Sequence, residues 1–322
     1  MISGGTRRAA GKSAATCYDS LVMQRIFVTG GTGFVGRSVV RALVSRGFLV
    51  RCLVRPGSEA DLSGFESIDR VPGDVLRPDG LVACAEGCAA IVHLVGIIRE
   101  HRARGITFER LHVRATENML GVARAAGVKR YLHMSALGTR ASARSAYHRT
   151  KWQAEEAVRA SGTDWTIFRP SIVFGRGDEF ISVLANLIRR YPVVPVLGDG
   201  RYRLQPIAVE QVAEGFVQAL RQPVSVGQTY EVGGPQPYRL VEILDQIGAA
   251  VGRSRVRKAH VPLGAVKLAT RGLAWVPFYP VTTDQLTMLE EESVADPTPF
   301  YRDFGITPEP FARGLARMLT AR

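Results

Sequence analysis

The sequence has no apolar stretch of the length that a membrane-spanning helix requires. Such a helix takes about 20 consecutive, mostly apolar residues. Charged residues, glycines or prolines interrupt every apolar run of the 322-residue chain before that length. The sequence therefore predicts a soluble protein, with the cytoplasm as its expected location.

Cysteine is scarce, and the chain has only four residues of this type: Cys17, Cys52, Cys84 and Cys88. This number and spacing do not fit a disulfide framework, so we expect reduced thiols. Cys84 and Cys88 are four residues apart, but residues 86–87 end the predicted helix before it could place both thiols on one face. No spacing typical of a zinc site occurs, and no metal is expected.

Acidic residues are also few, because 29 Asp and Glu stand against 42 Lys and Arg and leave a formal net charge of +13. The basic residues are scattered and form no block, and no recognition-helix pattern occurs, so a nucleic-acid partner is not expected. An anionic cofactor, an anionic partner protein or an acidic membrane surface would each suit this charge. The charge alone does not choose among them.

Residues 1–22 contain Arg7, Arg8 and Lys12 with the single acid Asp19, and they have no apolar core of signal-peptide length. Two interpretations stay open. The start codon is mistaken and the protein begins at Met23, or the segment is a basic organelle-targeting peptide. Both predict a flexible tail outside the fold.

Residues 25–36, RIFVTGGTGFVG, predict a buried strand, a glycine-rich turn and a helix in direct succession. This order is typical of a dinucleotide site, where glycine permits a tight turn and close approach of the backbone to a pyrophosphate. The helix N-terminus adds free N–H groups and a partial positive charge. The cofactor contacts predicted here are Gly30, Thr32, Gly33, Phe34, Val35 and Gly36.

Further strands are predicted at residues 48–54, 68–71, 90–95 and 131–134, with helices between them. Strands that alternate with helices favour an α/β fold with a doubly wound parallel sheet, a Rossmann fold. From Gly175 onward the pattern changes to longer loops and short helices. We therefore predict an NAD(P)-binding domain at residues 23–175 and a smaller C-terminal lobe at residues 176–322, mainly for substrate binding, with some elements returning to the sheet.

The ends of the predicted strands indicate which cofactor binds. Arg55 ends the second strand, where an acid holds the ribose of NAD and an arginine accommodates the 2′-phosphate of NADP. We therefore predict NADP(H), with NAD(H) as the alternative. Other cofactor contacts are predicted after the third and fourth strands: Asp74, Val75, Leu94, Val95 and Gly96.

Tyr147 and Lys151 are four residues apart at the start of a predicted helix, and so lie on one helical face. An adjacent cation favours the phenolate, so Tyr147 could exchange a proton with a substrate carbonyl or hydroxyl while hydride moves. Lys151 would also hold the cofactor ribose. An ordinary pair on a surface helix is the alternative interpretation.

These residues resemble the extended or atypical short-chain dehydrogenase/reductase superfamily, in the segment TGGTGFVG at residues 29–36 and in the Tyr147-x-x-x-Lys151 pair. Blocks at residues 93–100, 133–138 and 164–170 are similar to one branch, which contains the nucleotide-binding accessory subunit of respiratory complex I and its bacterial homologues. This resemblance implies tightly held NADP(H), Pro170 at the cofactor, a structural or assembly role and a link to quinone metabolism. It also implies a membrane-associated respiratory or quinone-related partner, with the protein peripheral at the inner membrane.

The chain departs from the superfamily pattern near the expected active site. Ala136 stands where active members carry a catalytic Ser or Thr, and Ser135 comes one residue early. Ser135 is retained as the third predicted catalytic residue because it could orient a substrate oxygen, and Ser145 is the alternative hydroxyl. His112 takes the place of a supporting Asn.

Two features of the C-terminal lobe have competing interpretations. Five arginines could converge on an anionic group or be separately solvated: Arg176, Arg189, Arg190, Arg201 and Arg203. The apolar and aromatic segment at residues 262–280 could lie in a membrane interface, receive a lipid-like tail or pack within the lobe.

Three functions remain compatible with the sequence. The first is an NADP(H)-dependent reductase-like protein that transfers hydride at a carbonyl or secondary alcohol. The second is a non-catalytic, cofactor-binding structural or assembly factor of a quinone-related respiratory complex. The third is a sugar-nucleotide epimerase or dehydratase, against which the displaced serine argues.

Overall fold

The computed structural model describes residues 24–58, 62–264, 283–291 and 293–320. The strands are β1 Arg25–Thr29, β2 Leu49–Val54, β3 Asp69–Pro72, β4 Ala90–His93, β5 Arg130–Met134, β6 Asp164–Pro170, β7 Val173–Phe174, β8 Val193–Leu197, β9 Arg203–Leu204, β10 Ile207–Ala208, β11 Gln228–Val232, β12 Tyr238–Arg239 and β13 Arg257–Val261. The helices are α1 Phe34–Ser45, α2 Leu81–Ala85, α3 Ala115–Ala125, α4 Ala146–Arg159, α5 Phe180–Arg190, α6 Val209–Arg221, α7 Leu240–Ala250, α8 Thr283–Glu290, α9 Thr298–Phe304 and α10 Phe311–Thr320.

Seven strands form one parallel sheet in the order β11-β6-β5-β4-β1-β2-β3. The chain winds outward from β1 through β2 to β3, and then crosses to β4 and winds the other way. This reversal makes the carboxyl ends of β1 and β4 the switch point where ligands bind in open α/β sheets. The predicted Rossmann fold is confirmed.

The two faces of the sheet pack against different helices. In β1, Ile26 and Val28 face one cluster with α1 and α6, and Phe27 faces another with α2 and α3. All three side chains are fully buried, and burying each stabilises the fold by about 1.5 to 3 kcal/mol. A central strand of a parallel sheet is apolar on both faces for this reason.

The C-terminal part of the chain has its own hydrophobic cluster, built around α5, α7 and α10 with the β8–β13 pair. Helix α6 packs on the main sheet, and strand β11 pairs with β6 at its edge. Helix α9 was not predicted because Pro297 and Pro299 suggest a loop. It begins immediately after Pro297 and packs Phe300 and Phe304 against Phe168 of β6.

Several predicted boundaries need correction. The fourth strand was predicted at residues 90–95, but β4 ends at His93. Residues 94–96 follow the strand, and we call them the exit of β4. The predicted helix at residues 108–126 begins with a π-helical segment, Glu109–Arg114, before α3. Helix α2 ends at Ala85, before it could align Cys84 with Cys88, as expected.

Some predictions fall outside the described residues. These are the tail at residues 1–22 and all but the first three residues of the segment 262–280. Within the described part of the chain, none of the helices combines the length and the apolar character needed to cross a bilayer.

Candidate cofactor and active site

The glycine-rich turn lies against the exit of β4, at the switch point of the sheet. Gly30 has a φ of 77°, a left-handed conformation that glycine adopts without strain. A Cβ on Gly30 would lie 2.9 Å from the Leu94 carbonyl carbon and the Val95 nitrogen. Leu94 N also donates to Thr29 O, at 2.9 Å. Close backbone contacts therefore hold the glycine-rich turn against residues 94–96.

Close packing of α1 on the turn requires Gly31 and Gly36. A Cβ on Gly36 would lie 2.1 Å from Gly30 O, and one on Gly31 would lie 2.2 Å from Cys52 Sγ. Burial raises the pKa of the Cys52 thiol to about 12, so this thiol stays neutral and serves as packing. Only glycine allows the helix to begin this close to the strand.

The N-terminus of α1 is open. Gly33 occupies the N-cap without a side-chain hydrogen bond, and the first turn contains no acidic residue. The backbone N–H groups there have no acceptor within the helix itself, and Arg37 donates to Thr32 O at 2.7 Å in the same turn. These donors and the positive end of the helix dipole suit an anion such as a pyrophosphate.

Two of the predicted cofactor contacts, Arg55 and Asp74, follow the carboxyl ends of β2 and β3, the strands beyond β1 in the sheet. Arg55 is exposed immediately after β2. Asp74 lies beyond β3 and accepts a hydrogen bond from Leu76 N at 2.9 Å, so one carboxylate oxygen is used within its own loop. Val75 is buried, and its carbonyl accepts from Asn118 at 2.8 Å.

Lys151 projects from α4 toward the exit of β4. Its ammonium is buried and donates to Met134 O at 2.9 Å. A Cβ on Gly96 would lie 3.0 Å from this Nζ atom, so the missing side chain leaves room for the ammonium. Burial lowers the pKa of Lys151 to about 8, against the opposing effect of Glu155.

Tyr147 lies one turn earlier in α4, in a small cluster with Phe108 and Ala136. Its ring meets His112 edge-on, with 5.2 Å between the ring centroids. Burial, and then Asp284, raise the pKa of Tyr147 to about 12. The expected stabilisation of a phenolate by Lys151 is not found, since the ammonium is directed to Met134 O and the nearby carboxylate opposes ionisation.

Helix α4 begins with a complete set of hydrogen-bond partners. Ser145 Oγ accepts from His148 N at 3.2 Å, and the Asp284 carboxylate accepts from Ala146 N at 2.8 Å and from Tyr147 N at 3.2 Å. Ser145 is thus the N-cap of the helix. Asp284 was missed, because nothing in the sequence pairs it with a helix 137 residues away.

Glu291, a second acidic residue, follows α8 and contacts both the loop before α4 and the first turn of α4. It accepts from Arg140 Nη2 and from Arg144 N, both at 2.8 Å, and lies 3.1 Å from His148 Nδ1. Burial opposes its ionisation, but the Arg144 N–H, His148 and Arg140 together hold the pKa of the Glu291 carboxyl below its ordinary value.

The predicted hydroxyl of Ser135 has a hydrogen-bond partner of its own. Ser135 is buried after β5, and its Oγ pairs with Thr139 Oγ1 at 3.4 Å. Ala136 is the residue that packs on Tyr147. Pro170, at the end of β6, is also buried, and its carbonyl accepts from Leu137 N at 2.9 Å.

His112 lies in the π-helical segment, a feature that often marks functional sites. Its Nδ1 is 2.9 Å from Thr150 Oγ1 and its Nε2 is 3.1 Å from Ile97 O. Burial, and then the charge of Lys151, lower the pKa of His112, so it is neutral at physiological pH. This ring supports α4 next to Tyr147, in the place expected for the Asn.

Two further buried histidines were not predicted as site residues: His93 at the end of β4 and His133 in β5. His93 Nδ1 is 2.7 Å from Thr29 Oγ1, and the His93 ring stacks on His133 with 5.7 Å between centroids. Burial lowers the pKa of His93 to about 3. In the described ranges, no group of three or more His, Cys, Asp or Glu residues could hold a metal ion.

The structure gives no support to a convergence of the five arginines of the C-terminal lobe. Arg189 and Arg190 are exposed in the last turn of α5, whereas Arg176 lies in the loop before this helix. Arg201 and Arg203 are exposed near β9.

Comparison with known proteins places this geometry in a family. The sequence pattern of the NAD dependent epimerase/dehydratase family matches residues 26–233, which span the whole parallel sheet from β1 to β11. The chain is 30% identical over 291 residues to the Mus musculus protein NADH dehydrogenase (ubiquinone) 1 alpha subcomplex subunit 9, mitochondrial, covering 88% of this chain and 76% of that protein.

Two other similarities concern enzymes. The chain is 35% identical over 199 residues to the ceramide reductase of Caulobacter vibrioides, covering 62% of each protein. The solved structure of UDP-glucuronic acid 4-epimerase from Bacillus cereus, in complex with UDP-glucuronic acid and NAD, superposes with a TM-score of 0.71 at 18% identity, over 92% of this chain and 98% of that one. At this identity the likeness shows the fold alone.

Proposed function

Because the chain belongs to the NAD dependent epimerase/dehydratase family, we propose that it binds NADP(H) at the switch point and transfers hydride at a carbonyl or secondary alcohol. One observation carries this proposal. Tyr147 and Lys151 are both buried at the carboxyl edge of the sheet, beside the exit of the strand that packs on the glycine-rich turn.

Each predicted cofactor contact has a role in this proposal. The turn at residues 30–36 and the N-terminus of α1 would hold the pyrophosphate, and the exposed guanidinium of Arg55 would pair with the 2′-phosphate of NADP(H). Asp74 and Val75 would contact the adenine, and Lys151 would hold the nicotinamide ribose. The remaining predicted contacts would line the nicotinamide: Leu94, Val95, Gly96 and Pro170.

Tyr147 acts as a general acid. A reduced nicotinamide, when bound, would supply the hydride, and the phenol of Tyr147 would donate its proton to the developing alkoxide. The raised pKa of Tyr147 keeps this proton in place at neutral pH. Ser135 could orient the substrate oxygen only if its contact with Thr139 gave way.

Two measurements test this proposal. Equilibrium titrations with NADPH and NADH examine the cofactor site, and we expect tighter binding of NADPH. Steady-state rates are then measured with a panel of ketones, aldehydes and quinones. Replacing Tyr147 by Phe should lower kcat at least about a hundredfold, the usual contribution of a positioned acid, without changing the affinity for NADPH. A rate that is unchanged in this variant contradicts the assignment.

A second function is favoured by a different observation, the identity of the relatives. The mouse relative is named as a mitochondrial subunit of NADH dehydrogenase, and the residue that packs on Tyr147 is Ala136, which carries no hydroxyl. In this second proposal the cofactor stabilises the fold of an assembly or accessory subunit of a membrane-associated respiratory complex. Copurification with such a complex, equal for Tyr147→Phe and the unaltered chain, would favour it.

A further inference from the structure

Asp284 of α8 supplies the carboxylate that accepts hydrogen bonds at the N-terminus of α4, the helix that carries Tyr147. Both oxygens of Asp284 are used, one on Ala146 N and the other on the N–H of Tyr147 itself. The two groups belong to parts of the chain 137 residues apart. A change in the position of α8 would therefore act directly on the residue proposed as the acid.

We propose that Asp284 is a positioning residue for Tyr147, which fixes the first turn of α4 and places a negative charge at the start of the helix that carries the phenol. The catalytic consequence rests on the proposed function, since it matters only if Tyr147 donates a proton. The electrostatic effect itself does not depend on turnover and can be measured separately.

The physical basis is a carboxylate bonded to the backbone N–H of the residue that carries the buried phenol. Like charges repel strongly where little water screens them, so Asp284 opposes a phenolate on Tyr147. Burial is the larger cause of the raised pKa of Tyr147, and Asp284 is the next. A carboxylate at this site also offsets the partial positive charge of the helix N-terminus, which would otherwise stabilise the phenolate.

The other ionisable groups around Tyr147 do not cancel this effect. His112, from the π-helical segment, is neutral, since its pKa is lowered by burial. His148 follows in α4, and burial lowers its pKa although Glu291 opposes this. Lys151 donates to Met134 O. Asp284 is the charged group in direct contact with the Tyr147 backbone.

Asp284 is held in place by further contacts of the same region. Met288 of α8 packs on the cluster of Phe108, Ala136 and Tyr147. Glu291, immediately after α8, is bonded to Arg140, Arg144 and His148. The carboxylate therefore belongs to an element anchored on both sides of the first turn of α4.

The chain offers a matched control in Asp178. This buried carboxylate accepts from Ile181 N at 2.6 Å and from Ser182 N at 3.2 Å at the start of α5, a helix whose buried residues belong to the C-terminal hydrophobic cluster and not to the cluster of Tyr147. Asp178→Asn removes a helix-capping charge of the same kind, without changing the field at Tyr147.

The experiment is a titration of Tyr147 in the full-length protein carrying tyrosine labelled with carbon-13 at Cζ. The Tyr147→Phe variant assigns the signal. In Asp284→Asn we expect the apparent pKa of Tyr147 to fall by about 0.5 to 1 unit, and in Asp178→Asn to stay at the value of the unaltered protein. Asp284→Ser, which keeps a capping acceptor without the charge, should show the same fall, and it replaces Asp284→Asn if that variant does not fold.

Two results would overturn the inference: an unchanged titration of Tyr147 in both uncharged variants, or an equal shift in Asp178→Asn. If no carbonyl substrate is ever reduced, the proposed function fails, while this titration still decides the role of Asp284.

Discussion

Two helices begin at the same edge of the sheet, and their N-termini are completed in opposite ways. Helix α1 starts at Gly33 with no capping side chain and no acid in its first turn. Helix α4 starts at Ser145 with a capping hydroxyl and the Asp284 carboxylate. The first end is left available for an external anion. At the second, the chain supplies its own anion and so fixes a side chain.

This difference has an energetic meaning. A helix cap contributes about 1 kcal/mol, and a charge at a helix end contributes about 0.3 to 1 kcal/mol. Helix α1 goes without both contributions, which a bound pyrophosphate would restore. Helix α4 has both, and the gain is a rigid position for Tyr147 in the absence of any ligand.

The largest effect is expected from a substitution that adds a side chain where the N-terminus of α1 packs on the glycine-rich turn. Gly36→Ala would place a Cβ 2.1 Å from Gly30 O, and we expect a loss of about 3 kcal/mol in the free energy of unfolding together with loss of NADPH binding. Urea unfolding and fluorescence titration measure both. Gly121→Ala is the control, because a Cβ there meets nothing within 4 Å. A Gly36→Ala protein that binds NADPH normally would contradict the geometry of the turn.

The next effect concerns the α4 end and depends on pH. Glu291→Gln should lower the free energy of unfolding by about 2 kcal/mol at neutral pH, the scale of a charged hydrogen bond. Since the pKa of the folded carboxyl lies below its ordinary value of 4.5, this stabilisation is present above that value and disappears as the pH falls through the folded pKa. Urea unfolding from pH 7 to pH 3 measures it. A difference between the two proteins that stays constant down to pH 3 would show that the charge of Glu291 is unimportant.

A smaller effect is expected beside the open end. Arg55→Ala should weaken NADPH about tenfold, or about 1.4 kcal/mol, because a charged hydrogen bond to phosphate is lost. NADH should bind as before. Arg124→Ala, which removes an exposed arginine from the last turn of α3, is the matched control. Equal losses for the two nucleotides would remove Arg55 from the 2′-phosphate.

The α1 end was predictable from the sequence, and the α4 end only in part. The glycine turn is a local pattern in which strand, turn and helix follow one another, and the spacing of Tyr147 and Lys151 is equally local. Asp284 and Glu291 reach α4 through the tertiary fold, so no periodicity reveals them. In the same way, the spacing places Lys151 on the right face of α4 but does not show that its Nζ atom donates to Met134 O.

Helix α9 illustrates the same limit in the fold. Its two prolines suggest a loop, but Pro297 precedes the first turn and Pro299 lies within it, where a missing N–H is tolerated. What stabilises the helix is burial of Phe300 and Phe304 against β6 and β11, a contact made across the fold.

The most direct test of the account is a single turnover with bound cofactor. The purified protein is loaded with NADPH, exposed to fractionated lysate or to a quinone panel, and followed by the absorbance of the reduced nicotinamide. The account predicts a decay that saturates with one fraction and is abolished by Tyr147→Phe. A reduced cofactor that stays bound and unreacted in every fraction would contradict it and leave the structural subunit as the better explanation.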